Sequence, residues 1–225
     1  GRLQLAFATP NKLYIVDRNG RNVDRFPLNF KDTITQPLAV FDYDKQRNYR
    51  FLISQNENIL MYDSKGKAVK GFKYKPEKPI SSHPKHIRVR GKDFIVFSAG
   101  NQLKLLDRRG AIRIKVKEDI DFSGEDIYFY KSLFTTTNSK GDLIQVNTKG
   151  AVSRQSLGLD LKHNITCSSK TLVTRSDNKL SIKSNTLDLD FGSYTSPILF
   201  YLRDKIYISI TDLQAQKIWL FDSQA

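Results

Sequence analysis

Little in this sequence offers covalent or redox chemistry. A single cysteine, Cys167, cannot form an internal disulfide, so no disulfide framework holds the fold and cysteine usage leaves the redox compartment undecided. No apolar run approaches the roughly 18 residues of a membrane-spanning helix. No long Pro, Ser or Gln tract marks a disordered segment. Apolar residues alternate or cluster in fours and nowhere recur every three to four, so helix is expected to be minimal. What remains is a chain of 225 residues that is 39% hydrophobic and 11% aromatic, enough to bury the core of one all-β domain. Gly1 is not a natural start, and Ala225 follows directly on a strand and its turn, so the chain is expected to be an excerpt from a longer protein.

A short apolar run followed by an Asp or Asn turn recurs six times. Four copies are complete: LYIVDRNG from Leu13, ILMYDSKG from Ile59, LKLLDRRG from Leu103 and LIQVNTKG from Leu143. Two are weaker, LSIKSNT from Leu180 and IWLFDSQ from Ile218, and both lack the glycine. The turn positions 17, 63, 107, 147, 184 and 222 stand 46, 44, 40, 37 and 38 residues apart, close to the roughly 40 to 50 of a four-stranded propeller blade. In the complete copies the side chains of Asp17, Asp63, Asp107 and Asn147 can accept hydrogen bonds from the backbone ahead of them. Gly20, Gly66, Gly110 and Gly150 can take the positive φ that closes a hairpin.

The intervening stretches read as strands, being short, rich in β-branched and aromatic residues, and bounded by polar clusters. In the second blade the four strands are expected at 37–43, 49–54, 58–63 and 67–74, and in the third at 87–90, 93–98, 102–107 and 111–116. The fourth blade takes 126–132, 133–137, 143–147 and 152–157, and the fifth 165–168, 171–174, 180–184 and 187–191. Residues 3–30 and 197–222 supply only three strands each. The expectation is a single all-β domain, a β-propeller of about six four-stranded blades incomplete at both ends, with approximate blades 1–30, 31–78, 79–119, 120–160, 161–193 and 194–225.

Candidate chemistry is sparse. Propeller dehydrogenases that use quinones pin their blades with repeated tryptophans, whereas Trp219 stands alone here and reads as packing bulk. His83 and His86 form a superficial ligand pair without the Cys, Asp or Glu companions a metal site needs, and read as a loop stiffened by Pro76, Pro79 and Pro84. His163 sits in a polar connector with no nucleophile to serve. Asp42 and Asp44 resemble a decayed calcium loop, but Lys45 and Arg47 bring positive charge where acidic oxygens would be required, and an Asp-rich turn accounts for them. No catalytic, cofactor or metal residue is assigned.

Charge is the strongest signal outside the repeats. Lys and Arg number 37 against 23 Asp and Glu, a formal excess of 14. It peaks between Lys65 and Lys92, where Lys65, Lys67, Lys70, Lys73, Lys75, Lys78, Lys85, Arg88, Arg90 and Lys92 face only Glu77. Such a stretch attracts anionic partners, whether nucleic acid, lipid or an acidic protein surface, although lysines also protect sheet edges from pairing. It is the candidate partner contact.

The Asp-x-x-Gly hairpins, the Lys/Asn/Ile-rich composition and the run from Lys217 to Asp222 resemble the propeller regions of large cell-envelope proteins of Bacteroidota, and more narrowly the plug proteins of the type 9 secretion system. The resemblance covers essentially the whole chain. It implies a periplasmic, non-catalytic protein that closes the mouth of a large outer-membrane translocon barrel by steric blockade, without cofactors. The charge keeps a second class open, a basic scaffold for nucleic acid or another anionic polymer; an enzyme domain is the third.

Overall fold

The structure is a computed structural model that describes residues 3–223. Gly1 and Ala225, on which the excerpt expectation rests, and Gln224 of the sixth repeat lie outside the described residues. The all-β expectation holds, since every regular element among the described residues is a β-strand. The chain divides into two compact units, residues 1–115 and 116–225.

In the first unit, sheet I contains β1 (Gln4–Thr9), β2 (Lys12–Asp17) and β3 (Leu28–Asn29). Sheet II contains β4 (Ala39–Phe41), β5 (Arg50–Ser54) and β6 (Ile59–Asp63). Sheet III contains β7 (Lys85–Val89), β8 (Lys92–Ala99), β9 (Gln102–Leu106) and β10 (Ile112–Ile114). In the second unit, sheet IV is β11 (Tyr128–Tyr130), β12 (Leu133–Thr137), β13 (Asp142–Val146) and β14 (Val152–Ser156). Sheet V is β15 (His163–Cys167), β16 (Leu172–Ser176), β17 (Lys179–Ile182) and β18 (Asn185–Asp188). Sheet VI is β19 (Ile198–Leu202), β20 (Lys205–Asp212) and β21 (Lys217–Asp222). Each sheet is an antiparallel meander in chain order.

The middle strands read as unbroken apolar runs because both faces of their sheet are covered. In sheet II, Phe51 stands opposite Tyr62 and Ile53 opposite Leu60, while Leu52 stands opposite Met61. Alternation sends the first two pairs into a core shared with Leu13 and Ile15 of sheet I. It sends Leu52 and Met61 into a core shared with Ile95, Phe97 and Leu106 of sheet III. A one-residue slip of β5 would exchange the two sets, so register and packing specify each other. In the second unit, Val173, Leu180 and Ile182 of sheet V meet Ile208 and Ile210 of sheet VI, with Trp219 and Phe221 packed beside them. The expected packing role of Trp219 is what is found.

The four complete turns share one geometry. Asp17 Oδ1 accepts the backbone N–H of Asn19 and of Arg21, at 2.8 and 3.0 Å. Asp63 holds Lys65 and Lys67, Asp107 holds Arg109 and Ala111, and Asn147 holds Lys149 and Ala151 in the same way. Each turn glycine also donates to the carbonyl of that Asp or Asn. The weak fifth copy is a different turn: Lys183 and Ser184 form a two-residue hairpin between the paired Ile182 and Asn185, with Lys183 at φ 57°.

Two expectations need correction. Among the described residues only sheets III, IV and V have four strands, and sheet II has three. The stretch 67–74 adds to sheet II a bridge from Ala68 to Tyr62 and two backbone bonds, from Asp63 N–H to the Lys67 carbonyl and from Val69 N–H to the Met61 carbonyl, and no fourth strand among the described residues. Gly71 then breaks the strand at φ 143°, Phe72 and Tyr74 pack against the core between sheets II and III, and the N–H of Lys73 is spent on the carbonyl of Arg109. Burying two aromatics under the next sheet outweighs extending the ladder. Strand ends also shift, most clearly in sheet V, where β15 begins at His163 and not at Ile165.

The departing segment of sheet II also explains a turn glycine. A Cβ on Gly110 would lie 2.7 Å from the Lys73 carbonyl oxygen, whereas a Cβ on Gly20 meets nothing within 4 Å; both residues have positive φ, +86° and +75°. Alanine at either position carries the left-handed penalty of about 1 kcal/mol, but only Gly110→Ala adds a backbone clash of about 1–3 kcal/mol. In urea denaturation of the two variants, Gly110→Ala is expected to lower stability by about 2 kcal/mol more than Gly20→Ala; equal losses would show that the close approach carries no energy.

Candidate interaction site

The topology divides the basic stretch between two ends of the first unit. The β7–β8 turn carries Arg90 and Lys92, and the β9–β10 turn carries Arg108 and Arg109 at the same end of sheet III. In sheet II the connection from β4 to β5 and the Asp63 turn lie together, because Phe41 pairs with Arg50 and Arg50 with Asp63. This end therefore adds Lys45, Arg47, Lys65 and Lys67. Lys78 lies at the opposite end, its side chain over Gly100 of the β8–β9 turn. Lys85 and Arg88 are on β7, Lys70, Lys73 and Lys75 on the segment between the sheets. The ten residues adjacent in sequence are thus not one surface. Arg108, Arg109, Lys45 and Arg47, which belong with Arg90 and Lys92, fall outside the stretch; the visible signal for the first two was LKLLDRRG, a turn tipped by two arginines.

A buried carboxylate ties the two sheets together at this end. Asp93, at the start of β8, accepts hydrogen bonds at Oδ2 from Arg108 Nε at 2.7 Å and meets His86 Nε2 at Oδ1 at 2.8 Å. Arg88 stands 3.7 Å from the same oxygen and donates to the Tyr43 carbonyl at 2.8 Å. Arg108 reaches further, gripping Asp44 with both terminal nitrogens, at 2.7 and 3.3 Å, and lying 4.7 Å over the Tyr43 ring. Tyr43 in turn packs edge-on against His86 at 4.9 Å. His86 therefore lies on β7 and is engaged with a carboxylate, not in the loop expected for it. Burial pushes the Asp93 carboxyl up, but the hydrogen bonds from His86 and Arg108 and the charge of Arg108 prevail and hold it below the usual carboxylate range. Burial likewise raises the Tyr43 phenol, whose enclosed hydroxyl has no hydrogen-bond partner among the described residues.

The remaining sequence candidates find structural partners. Asp42 accepts the N–H groups of Gln46 and Arg47 at 3.2 and 2.9 Å, and Asp44 serves Arg108, so the would-be calcium oxygens are occupied by the protein. His163 is buried in the second unit, with Nδ1 on the Asp160 carbonyl and Nε2 on the Thr137 hydroxyl, both at 2.8 Å. A carbonyl only accepts, so Nδ1 carries the proton. No group of three or more His, Cys, Asp or Glu side chains is arranged to hold a metal ion among the described residues.

The lowered Asp93 value has a pH consequence. The folded chain binds that proton less readily than the unfolded one, so the stabilisation is complete above about pH 4 and is lost as pH falls through the folded value. Asp93→Asn is expected to cost about 3 kcal/mol at pH 7 by leaving the cations facing it uncompensated. Its urea midpoint should also fall less than that of the parent between pH 5 and pH 2.5, and parallel acid limbs would remove Asp93 from the account.

No protein-family profile matches the chain, and no curated protein matches it. Solved structures share its architecture over nearly its whole length. BBS1N, crystallised in complex with ARL6DN, superposes with a TM-score of 0.69 at 13% identity, covering 96% of this chain and 74% of that one. BamB from Moraxella catarrhalis gives 0.59 at 13% identity over 98% and 77%, and the computationally designed Ika8 protein 0.60 at 11% over 97% and 70%. At such identities the likeness establishes fold alone, and the fold is a β-propeller made of antiparallel blades.

Proposed function

We propose that this propeller is a non-catalytic protein-binding scaffold. The observation that carries the reading is the uncovered face of sheet VI. Ile198, Leu202, Ile218 and Leu220 are 62, 60, 75 and 60% exposed, and the pairings of Ile198 and Leu220 with Ser209 and of Phe200 with Tyr207 place them on one face. The opposite face of the same sheet is buried against sheet V through Ile208 and Ile210. An apolar patch of this kind marks a protein contact, and the surface that fits a twisted apolar sheet face is a second sheet, as sheet V demonstrates. Sheet I offers a smaller one, with Leu5 61% exposed and Phe7 stacked on Tyr14. A protein partner also accords with BBS1N, a structural neighbour crystallised with ARL6DN.

In its finer form the reading follows the sequence resemblance: a periplasmic plug whose rigid blades close an outer-membrane protein-secretion pore of the type 9 kind, assigned no catalytic residue. The mechanism is steric. The packed blades form the obstruction, and the plug leaves when a competing surface takes its contacts. Excess positive charge favours a second reading, binding of nucleic acid or another anionic polymer.

Affinity capture from envelope extracts tests both. The parent chain is expected to retain an outer-membrane β-barrel identified by mass spectrometry, and Ile218→Lys/Leu220→Lys, with unchanged circular dichroism, to retain about tenfold less. Recovery of nucleic acid with no barrel would overturn the plug in favour of the polymer binder.

A further inference from the structure

The basic end of sheets II and III has a selectivity that net charge alone does not convey. Lys45, Arg47, Lys65, Arg90, Lys92 and Arg109 are all exposed, and none has an ion-pair partner among the described residues. The acidic residues beside them are committed internally: Asp42, Asp63 and Asp107 to backbone N–H groups, Asp44 and Asp93 to Arg108. Their charges lower the local excess, but their oxygens do not compete for the exposed cations.

The backbone under these cations is held in place. Lys65 and Arg109 sit on turns clamped by Asp63 and Asp107. Lys45, Arg47 and Arg90 adopt left-handed φ of 56, 63 and 48°, a region in which glycine or asparagine is at ease and a long side chain costs about 1 kcal/mol.

We propose that this end of the first unit docks an acidic segment of a protein partner, its Asp and Glu side chains taken one by one by the turn cations. The proposal rests on the scaffold reading and names the chemistry of its partner. Carboxylate is favoured over phosphate on two grounds. Arg108 already grips two carboxylates here in the forked geometry that guanidinium offers. And the cations are separated by fixed carboxylates, which a continuous phosphate chain must cross, whereas acidic side chains reach between them. Tyr49, 39% exposed, is the one large aromatic exposed on the loops of this rim, so a stacking platform for bases is lacking among the described residues.

Fluorescence anisotropy with a labelled twelve-residue polyglutamate peptide tests the proposal on the full chain. Arg90→Gln/Lys92→Gln/Arg109→Gln is expected to bind about tenfold more weakly than the parent at low salt. The charge-matched Lys12→Gln/Lys31→Gln/Lys78→Gln is altered at the opposite end, where Lys12 pairs with Thr9 across the β1–β2 turn and Lys31 lies beside Gln55 and Asn58 of the β5–β6 turn, and should bind within about threefold of the parent. A twelve-residue oligothymidylate should bind more weakly than the peptide. Absence of peptide binding, or equal losses in the two variants, would overturn the proposal. Tighter binding of the oligothymidylate, lost in the first variant, would assign the rim to nucleic acid instead. Ile218→Gln/Leu220→Gln, which changes no charge, should leave the peptide affinity unchanged, so failure of the apolar contact and failure of the basic rim are read separately.

Discussion

The turn that ends each Asp or Asn repeat is the constraint from which the rest of the molecule is built. One side-chain oxygen accepts two backbone N–H groups, at 2.9 Å each in the Asp63 turn, while glycine takes the left-handed position and returns a bond to the same residue. Four groups that would otherwise compete for water are satisfied within five residues, so the chain reverses at a defined point. Defined reversal sets register, and register decides which side chains of a strand face which neighbour. Phe51 and Leu52 enter different cores for that reason alone.

Packing then acts back on the chain. A sheet covered on both faces needs an apolar residue at nearly every position, as in β8, where every residue from Asp93 to Ala99 is buried. The same requirement captures segments that are not strands. Phe72 and Tyr74 follow the core instead of continuing the sheet, and the path they take brings the Lys73 carbonyl against Gly110. A glycine that began as a turn requirement becomes a packing requirement as well.

Electrostatics at the turn ends follows from the same economy of polar groups. Carboxylates are consumed by backbone N–H groups and by Arg108, and the other cations of these turns, Lys65, Arg90 and Arg109, have no ion-pair partner among the described residues. The buried Asp93 is the exception that unites the two, since its carboxylate is held ionised between elements of sheet III while Arg108 extends to Asp44 of the neighbouring loop. Structural order and an exposed positive surface are therefore products of one arrangement.

The fold was largely legible in the residues because its determinants are local: an Asp or Asn, two variable positions and a Gly after a short, mostly apolar run specify a hairpin in each complete copy, and their spacing announces the repeated sheet. The same locality explains the failures. The fifth copy lacks the turn glycine and closes as a tighter, two-residue hairpin at Lys183 and Ser184, and the strand expected at 67–74 yields to aromatic burial that no local pattern records. The candidate surface was half visible. Its charge could be counted along the chain, but antiparallel strands carry successive residues to opposite ends of a sheet, so Lys78 departs from Arg90 and Arg109 arrives beside it. Residue type and turn chemistry belonged to the sequence by itself; which cations stand together, which carboxylates are already spent and which apolar face is left uncovered were decided only when the sheets packed, because those properties are relations between segments far apart in the chain.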